Sequence, residues 1–493
     1  MSISDTPSAN RDHLPAFAII TGTNLLANLI NLAIGMYLVR QFTPELYGQI
    51  TFLFASFGIF RLLATFGMGN RVTLDVARSL ALNDREDLDR TFYSLLLLRA
   101  MVALILLVFL FFLTLAGGPI YMWVAMLLLP ASLNDYDLAA LQGGTRSLLI
   151  AGALLAQPAS FAVLVPTLAS HLHSLESVYA ALLCSYAFSM VVGFVSVVRV
   201  GLGRPRRRDF DLQLAKSALG FVGSSFVIVI LQYAGSVLSV YILGMKQLFA
   251  QAAQFGVVLN LTYLPVALLQ VPSAAVFQAR FIRLYVQKGV SEGAAFLSEF
   301  LLLVYRLSIG AAVMSVAFAQ PIVLLLYGQQ YLTSVPVLII LSPIMVMAAV
   351  QSVLVFTLMG MDKPQQAIPA VLFQLVAIAG LVVVVVMVAA GDISLLAIAQ
   401  VFGAGLGTWL LIRKAGQHLH MRWDVREYVY ALGVAVFSAL AVRLLLLWTP
   451  KSLPWDLAKL ALAITCYLIL MRGKLLGGSI LQSLAILRSP KGS

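Results

Sequence analysis

Acidic residues are scarce in this chain, with 20 Asp and Glu against 32 Lys and Arg in 493 positions, and charged residues of both signs reach only 11%. So little charge excludes an ordinary soluble domain, where about a quarter of residues are charged. Cysteine is nearly absent. Cys184 and Cys466 stand alone within apolar stretches, which excludes a disulfide framework and a thiolate metal site. The few histidines include two His-x-His pairs, His171/His173 and His418/His420, but the expected topology puts the pairs on opposite sides of a membrane, so they cannot share an ion. No GxxxxGK[ST] occurs, and the chain has no P-loop with which to hydrolyse ATP. Residues 403–407, GAGLG, match part of a dinucleotide fingerprint, but they lie inside an apolar run with no preceding strand. Gly403 and Gly407 are instead expected to let two helices approach closely.

What the chain has is apolar length. Hydrophobic residues make up 61% of it, and they fall into about fourteen stretches of the ~20 residues that the hydrocarbon core of a bilayer requires. The expected fold class is all-α, a polytopic membrane protein. The opening MSISDTPSANRDHLP is polar and no small-residue cleavage site follows the first apolar span, so that span is read as retained. The eighth span, 249–279, contains Pro265 and Pro272 and is expected to kink. With the N-terminus in the cytoplasm, most Lys and Arg fall in cytoplasmic loops, while Arg40, Lys246 and Lys451 fall outside. That asymmetry puts both termini inside. It also accounts for the net charge of +12 without nucleic acid. The densest basic run, RVGLGRPRRRDFDLQLAK at 199–216, reads as a topology signal that also meets anionic membrane lipids.

The same run divides the chain into halves. Laying residues 21–39 on 225–243 sets Asn28 on Gln232 and Tyr37 on Tyr241, and laying 95–107 on 302–314 sets Arg99 on Arg306. These coincidences point to an internal repeat of two pseudo-symmetric six-helix bundles around a central cavity. The expected organisation is a cytoplasmic tail at 1–15, a bundle at 16–198, a basic linker at 199–216 and a second bundle at 217–412. A cytoplasmic loop at 413–426, two further helices at 427–471 and a cytoplasmic tail at 472–493 complete it.

Polar groups inside the apolar spans nominate the site. Asn24, Asn28 and Asn31 recur at i, i+4 and i+7 and share one helical face. Arg61, Arg99 and Asp135 each sit roughly 12 Å from the cytoplasmic end of their spans, and Arg306 roughly 15 Å. Ionised groups at that depth face a polar cavity or a partner. Two readings stay open for the first bundle: Arg61 and Arg99 line an inward-opening cavity, or Asp135 and Asp137 neutralise them and tie three helices together. In the second bundle only Glu299 lies near Arg306, too far along the axis for a direct bond, which leaves an expected positive excess. Arg443 and Lys459 sit near span ends and are expected to snorkel.

These stretches also carry a resemblance. GTNLLANLINLAIGMYLVRQFTPELYGQITFLFASFGIFRLLATFGMGNRV at 22–72, with Pro44 to Gly48 in its turn and Gly67 to Gly69 at its end, is similar to the N-terminal signature of the polysaccharide flippases in the multidrug/oligosaccharidyl-lipid/polysaccharide exporter superfamily. AQPIVLLLYGQQYLTSVPVLIILSP at 319–343 and LMGMDKPQQAIPAVL at 358–372 resemble two further elements of that family. The resemblance covers about residues 15–415. It implies alternating access and a cargo of undecaprenyl-diphosphate-linked oligosaccharide, the precursor of O-antigen, capsule or exopolysaccharide, with no enzymatic activity and no cofactor. A coupling cation, proton or sodium, and other polysaccharide-assembly proteins are the further partners it implies. Arg61 stands six residues before Gly67, a spacing similar to that of a cavity arginine in the second helix of related lipid II flippases, whereas the first helix has asparagines where those carry arginines. Substrate-binding residues are then Arg61, Arg99, Arg306, Asn24, Asn28, Asn31 and Gln232, with Asp135 and Asp137 as ion-coupling or structural groups. Amides both donate to and accept from sugar hydroxyls, whereas arginine only donates. The alternatives are an ion-coupled drug antiporter of the same superfamily, which would want a more acidic cavity, and a membrane glycan polymerase or ligase. For the latter, the short outer loops offer only His171, His173 and Glu176.

Overall fold

The computed structural model describes residues 13–65, 67–69, 72–73, 76, 85–143, 147–172, 174–200, 212–272, 277, 279–361, 363–388, 392–419, 424–445 and 452–476. The central basic run at 201–211, His173, His420 and both tails lie outside them. Every regular element among the described residues is helical, and thirteen helices there are long and apolar enough to cross a membrane. The all-α polytopic expectation holds. Large apolar side chains such as Ile105, Phe112, Met387 and Val388 remain exposed, as the outer faces of helices in lipid must be.

The chain forms two compact units. The first contains α1 (His13–Gln41), most of α2 (Pro44–Thr65), α3 (Arg85–Gly117), α4 (Ile120–Gly143), α5 (Ser147–Leu172), α6 (Leu175–Val200) and most of α7 (Leu212–Met245). Helix α5 packs on α1 and α6, and α4 on α3 and α6. A core of Leu95, Tyr136, Ala139, Ala140, Ile150 and Val197 joins α3, α4, α5 and α6.

The second unit takes in Phe42–Gly48 and the chain from Leu238 onward. It includes α8 (Phe249–Pro272), α9 (Ala279–Lys288), α10 (Val290–Ala317), α11 (Ala319–Tyr327) and α12 (Val335–Leu341). After these come α13 (Pro343–Gly360), α14 (Ile368–Val388), α15 (Ile393–His418), α16 (Val425–Leu445) and α17 (Leu453–Leu476). The span expected at 249–279 is α8, continuous through Pro265 and ending at Pro272; a separate amphipathic helix, α9, follows it. The span expected at 333–360 is two helices. Pro343 has no N–H for the Ile339 carbonyl, and the Ser342 hydroxyl donates to that carbonyl instead at 2.8 Å. Asp392 starts α15 by accepting from the Ser394 N–H at 2.8 Å, a side-chain N-cap.

Glycine governs two close approaches in this unit. A Cβ on Gly48 would lie 1.8 Å from the Phe249 carbonyl oxygen, and Tyr47 beside it meets Tyr331 edge-on at 6.4 Å. Two of the stretches that carry the resemblance therefore touch each other. In GAGLG, Cβ atoms on Gly403 and Gly407 would come within 2.3 Å of Ile378 and of Gln374 Oε1, so these glycines serve close packing of α15 on α14. The last two helices pack on α10: Ala431, Ala435 and Ala439 of α16 and Tyr467 of α17 share a core with Met314 and Phe318.

Candidate functional site

Four helices of the first unit bring a polar cluster together. Helix α4 presents Ser132, Asp135 and Tyr136 at i, i+3 and i+4, on one face. From α2, Arg61 donates through Nε to Asp135 Oδ2 at 2.8 Å and through Nη2 to Oδ1 at 2.5 Å. This is a two-pronged guanidinium–carboxylate bond, the strong form of the pair. Its third nitrogen, Nη1, donates to the Tyr186 hydroxyl of α6 at 2.9 Å. From α3, Arg99 donates through Nε to Ser132 Oγ at 2.9 Å. Its Nη2 lies 3.8 Å from Asp135 Oδ2, and neither Nη1 nor Nη2 makes a hydrogen bond among the described residues. Tyr136 lies under the Arg99 guanidinium, 5.8 Å from its ring centroid, and its hydroxyl donates to the Phe92 carbonyl.

The two arginines are not equivalent. The Arg61 side chain is 33% exposed and that of Arg99 is 1% exposed. Arg99, for which the sequence left both a cavity-lining and a structural role open, is enclosed. Asp137 interacts with Arg99 only through space. Two residues on from Asp135, it is turned about 200° around the helix, where it packs against Gly193 of α6 and forms no ion pair among the described residues. Tyr186 and Ser132 were not singled out from the sequence. Ser132 had a signal in its spacing to Asp135; Tyr186, far along the chain, had none.

The amides are more scattered. Asn28 turns back on its own helix, donating to the Asn24 carbonyl at 2.9 Å. Asn31 is exposed, while Asn24, Asn28 and Gln232 are half-buried. Tyr233, next to Gln232, fills the notch at Gly58 of α2, where a Cβ would lie 1.7 Å from its hydroxyl.

Arg306 corrects an expectation. It belongs to the second unit, and its Nη2 donates to Glu427 Oε2 at 2.7 Å. Glu427 comes from the first turn of α16, beyond the six-helix repeat, so no positive excess remains at Arg306. The Tyr467 hydroxyl donates to the Arg306 carbonyl. Lys459, expected to snorkel, is buried and lies 3.3 Å from Asp456 one turn earlier. No group of three or more His, Cys, Asp or Glu suited to a metal ion occurs among the described residues.

No family model and no curated protein matches the sequence. Solved structures do match by fold. The lipid II flippase MurJ in an inward closed conformation aligns over 94% of this chain and 99% of its own, with a TM-score of 0.67 and 12% identity. An inward-facing multidrug resistance MATE family transporter of the MOP superfamily aligns over 81% and 98%, with a TM-score of 0.62 and 16% identity. A mutant of the Vibrio cholerae MATE transporter VcmN aligns over 84% and 98%, with a TM-score of 0.60 and 12% identity. The chain has the fold shared by these transporters.

Proposed function

We propose that the protein is a flippase that carries an undecaprenyl-diphosphate-linked oligosaccharide, a precursor of O-antigen, capsule or exopolysaccharide, across the bacterial cytoplasmic membrane by alternating access. The observation that carries this reading is Arg61: a partly exposed arginine four residues before the end of an apolar helix, its guanidinium pre-oriented by Asp135 and Tyr186. A planar fork of that kind takes a diphosphate by two parallel bonds. Asn24, Asn28, Asn31 and Gln232, all in the same unit as Arg61, supply amides that both donate and accept, as sugar hydroxyls require. The fold shared with a lipid II flippase and the sequence resemblance support the same cargo class. Both termini are cytoplasmic on this reading, and anionic lipids meet the basic loops.

Deleting the gene should cause one lipid-linked oligosaccharide to accumulate on the cytoplasmic side. Complementation with Arg61→Lys should restore export in part and Arg61→Ala not at all, at equal protein level in the membrane. Full export by Arg61→Ala combined with Asp135→Asn would instead make Arg61 a structural counter-ion. Asp137, a buried carboxylate without an ion pair among the described residues, favours a second reading, an antiporter coupled to protons or sodium. In that case the deletion accumulates no lipid-linked intermediate and sensitises cells to cationic drugs.

A further inference from the structure

Two arginines share one carboxylate here, and they share it unevenly. Both oxygens of Asp135 are taken by Arg61. Arg99, fixed at Nε by Ser132, holds two terminal nitrogens in a fully enclosed position without a hydrogen-bond partner among the described residues, one of them 3.8 Å from Asp135 Oδ2. Buried ionised donors left unpaired are costly, and proteins rarely tolerate them without a use. Meanwhile Asp135 covers the edge of Arg61 that a phosphate group would need. Displacing Asp135 into a site without a cation would leave a buried charge uncompensated. Arg99 removes that obstacle: a shift of about 1 Å brings Asp135 Oδ2 from its present separation to hydrogen-bond distance from Nη2.

Resting on the reading that Arg61 meets the substrate diphosphate, we propose that Asp135 is exchanged between two arginines. It holds Arg61 in the empty site and passes to Arg99 when an anionic phosphate group takes Arg61. Exposure orders the two roles, because the Arg61 side chain is partly open whereas that of Arg99 is enclosed. Arg99 is thus a positioning residue, and Ser132 aims it. The exchange lets the empty site stay neutralised and the loaded site bind without repulsion from Asp135.

The test uses the full chain in phosphatidylcholine nanodiscs titrated with inorganic diphosphate by calorimetry, with each variant checked for monodispersity. Arg99→Gln, which removes the receiver, should weaken binding about tenfold, equivalent to ~1.4 kcal/mol. Asp135→Asn should tighten binding, and in that background Arg99→Gln should have no further effect on diphosphate affinity, since residue 135 then carries no charge to pass on. That rescue separates exchange from a merely structural role. Should Arg99→Gln fail to fold, Ser132→Ala carries the same test, with a few-fold loss that vanishes in the Asp135→Asn background. Native affinity in the Arg99→Gln or Ser132→Ala variant, alongside complete loss in Arg61→Ala, would overturn the exchange and leave the flippase reading standing. Native affinity in Arg61→Ala would overturn that reading itself.

Discussion

At the scale of single residues, the polar groups inside the spans were visible in the sequence, and their partners were not. An ionisable side chain in an apolar helix announces itself by composition alone. Whether it meets Asp135 or Asp137 depends on which side of α4 faces α2, and two residues' separation is enough to send the second carboxylate to the other side. Arg306 makes the same point at longer range, since its partner Glu427 is 121 residues away. Removing Arg306 should therefore act on stability. Arg306→Ala should cost about 2 kcal/mol, less than the 3–5 kcal/mol of a fully buried pair because Glu427 keeps some exposure. Adding Glu427→Gln should recover most of it. The thermal midpoint of the purified variants reads this, and unchanged stability with lost transport would return Arg306 to the substrate path.

At the scale of elements, helix positions followed from hydropathy, whereas breaks within apolar runs followed from backbone chemistry. Pro343 and the hydroxyl of Ser342 divide what hydropathy joins into one span, because a missing N–H changes no apolar average. Helix α9 escaped notice for the opposite reason: its apolar side continues the run before it, and only its period separates it. Close approaches were legible as glycine but not as geometry. Gly48 faces a backbone carbonyl, which cannot swing aside, whereas Gly407 faces only side-chain atoms of Gln374, from its Cβ to its Oε1. Gly48→Ala should therefore cost about 3 kcal/mol and Gly407→Ala about 1 kcal/mol, the two ends of the usual range for overpacking. Fluorescence-detected melting in detergent compares them, and equal losses would mean that the Phe249 backbone yields.

At the scale of the whole molecule, the charge asymmetry of the loops predicts that both termini and the 199–216 segment are cytoplasmic and residues 169–176 are outside. Reporter fusions at Gly203, His171 and the C-terminus check this, and an external C-terminus would refute the fourteen-span arrangement. The sequence by itself determined that the chain is an all-helical membrane protein with its spans near their observed places. Apolar length and the cost of unpaired backbone groups in lipid leave no other architecture for such a composition. Only the tertiary structure decided that Arg61 and Arg99 converge on one aspartate while Asp137 does not, that Arg99 is enclosed and Arg61 open, and that α16 brings Glu427 to Arg306. Those outcomes depend on how each helix is rotated against its neighbours. That rotation is set by packing side chains from distant parts of the chain together, and no local pattern encodes it.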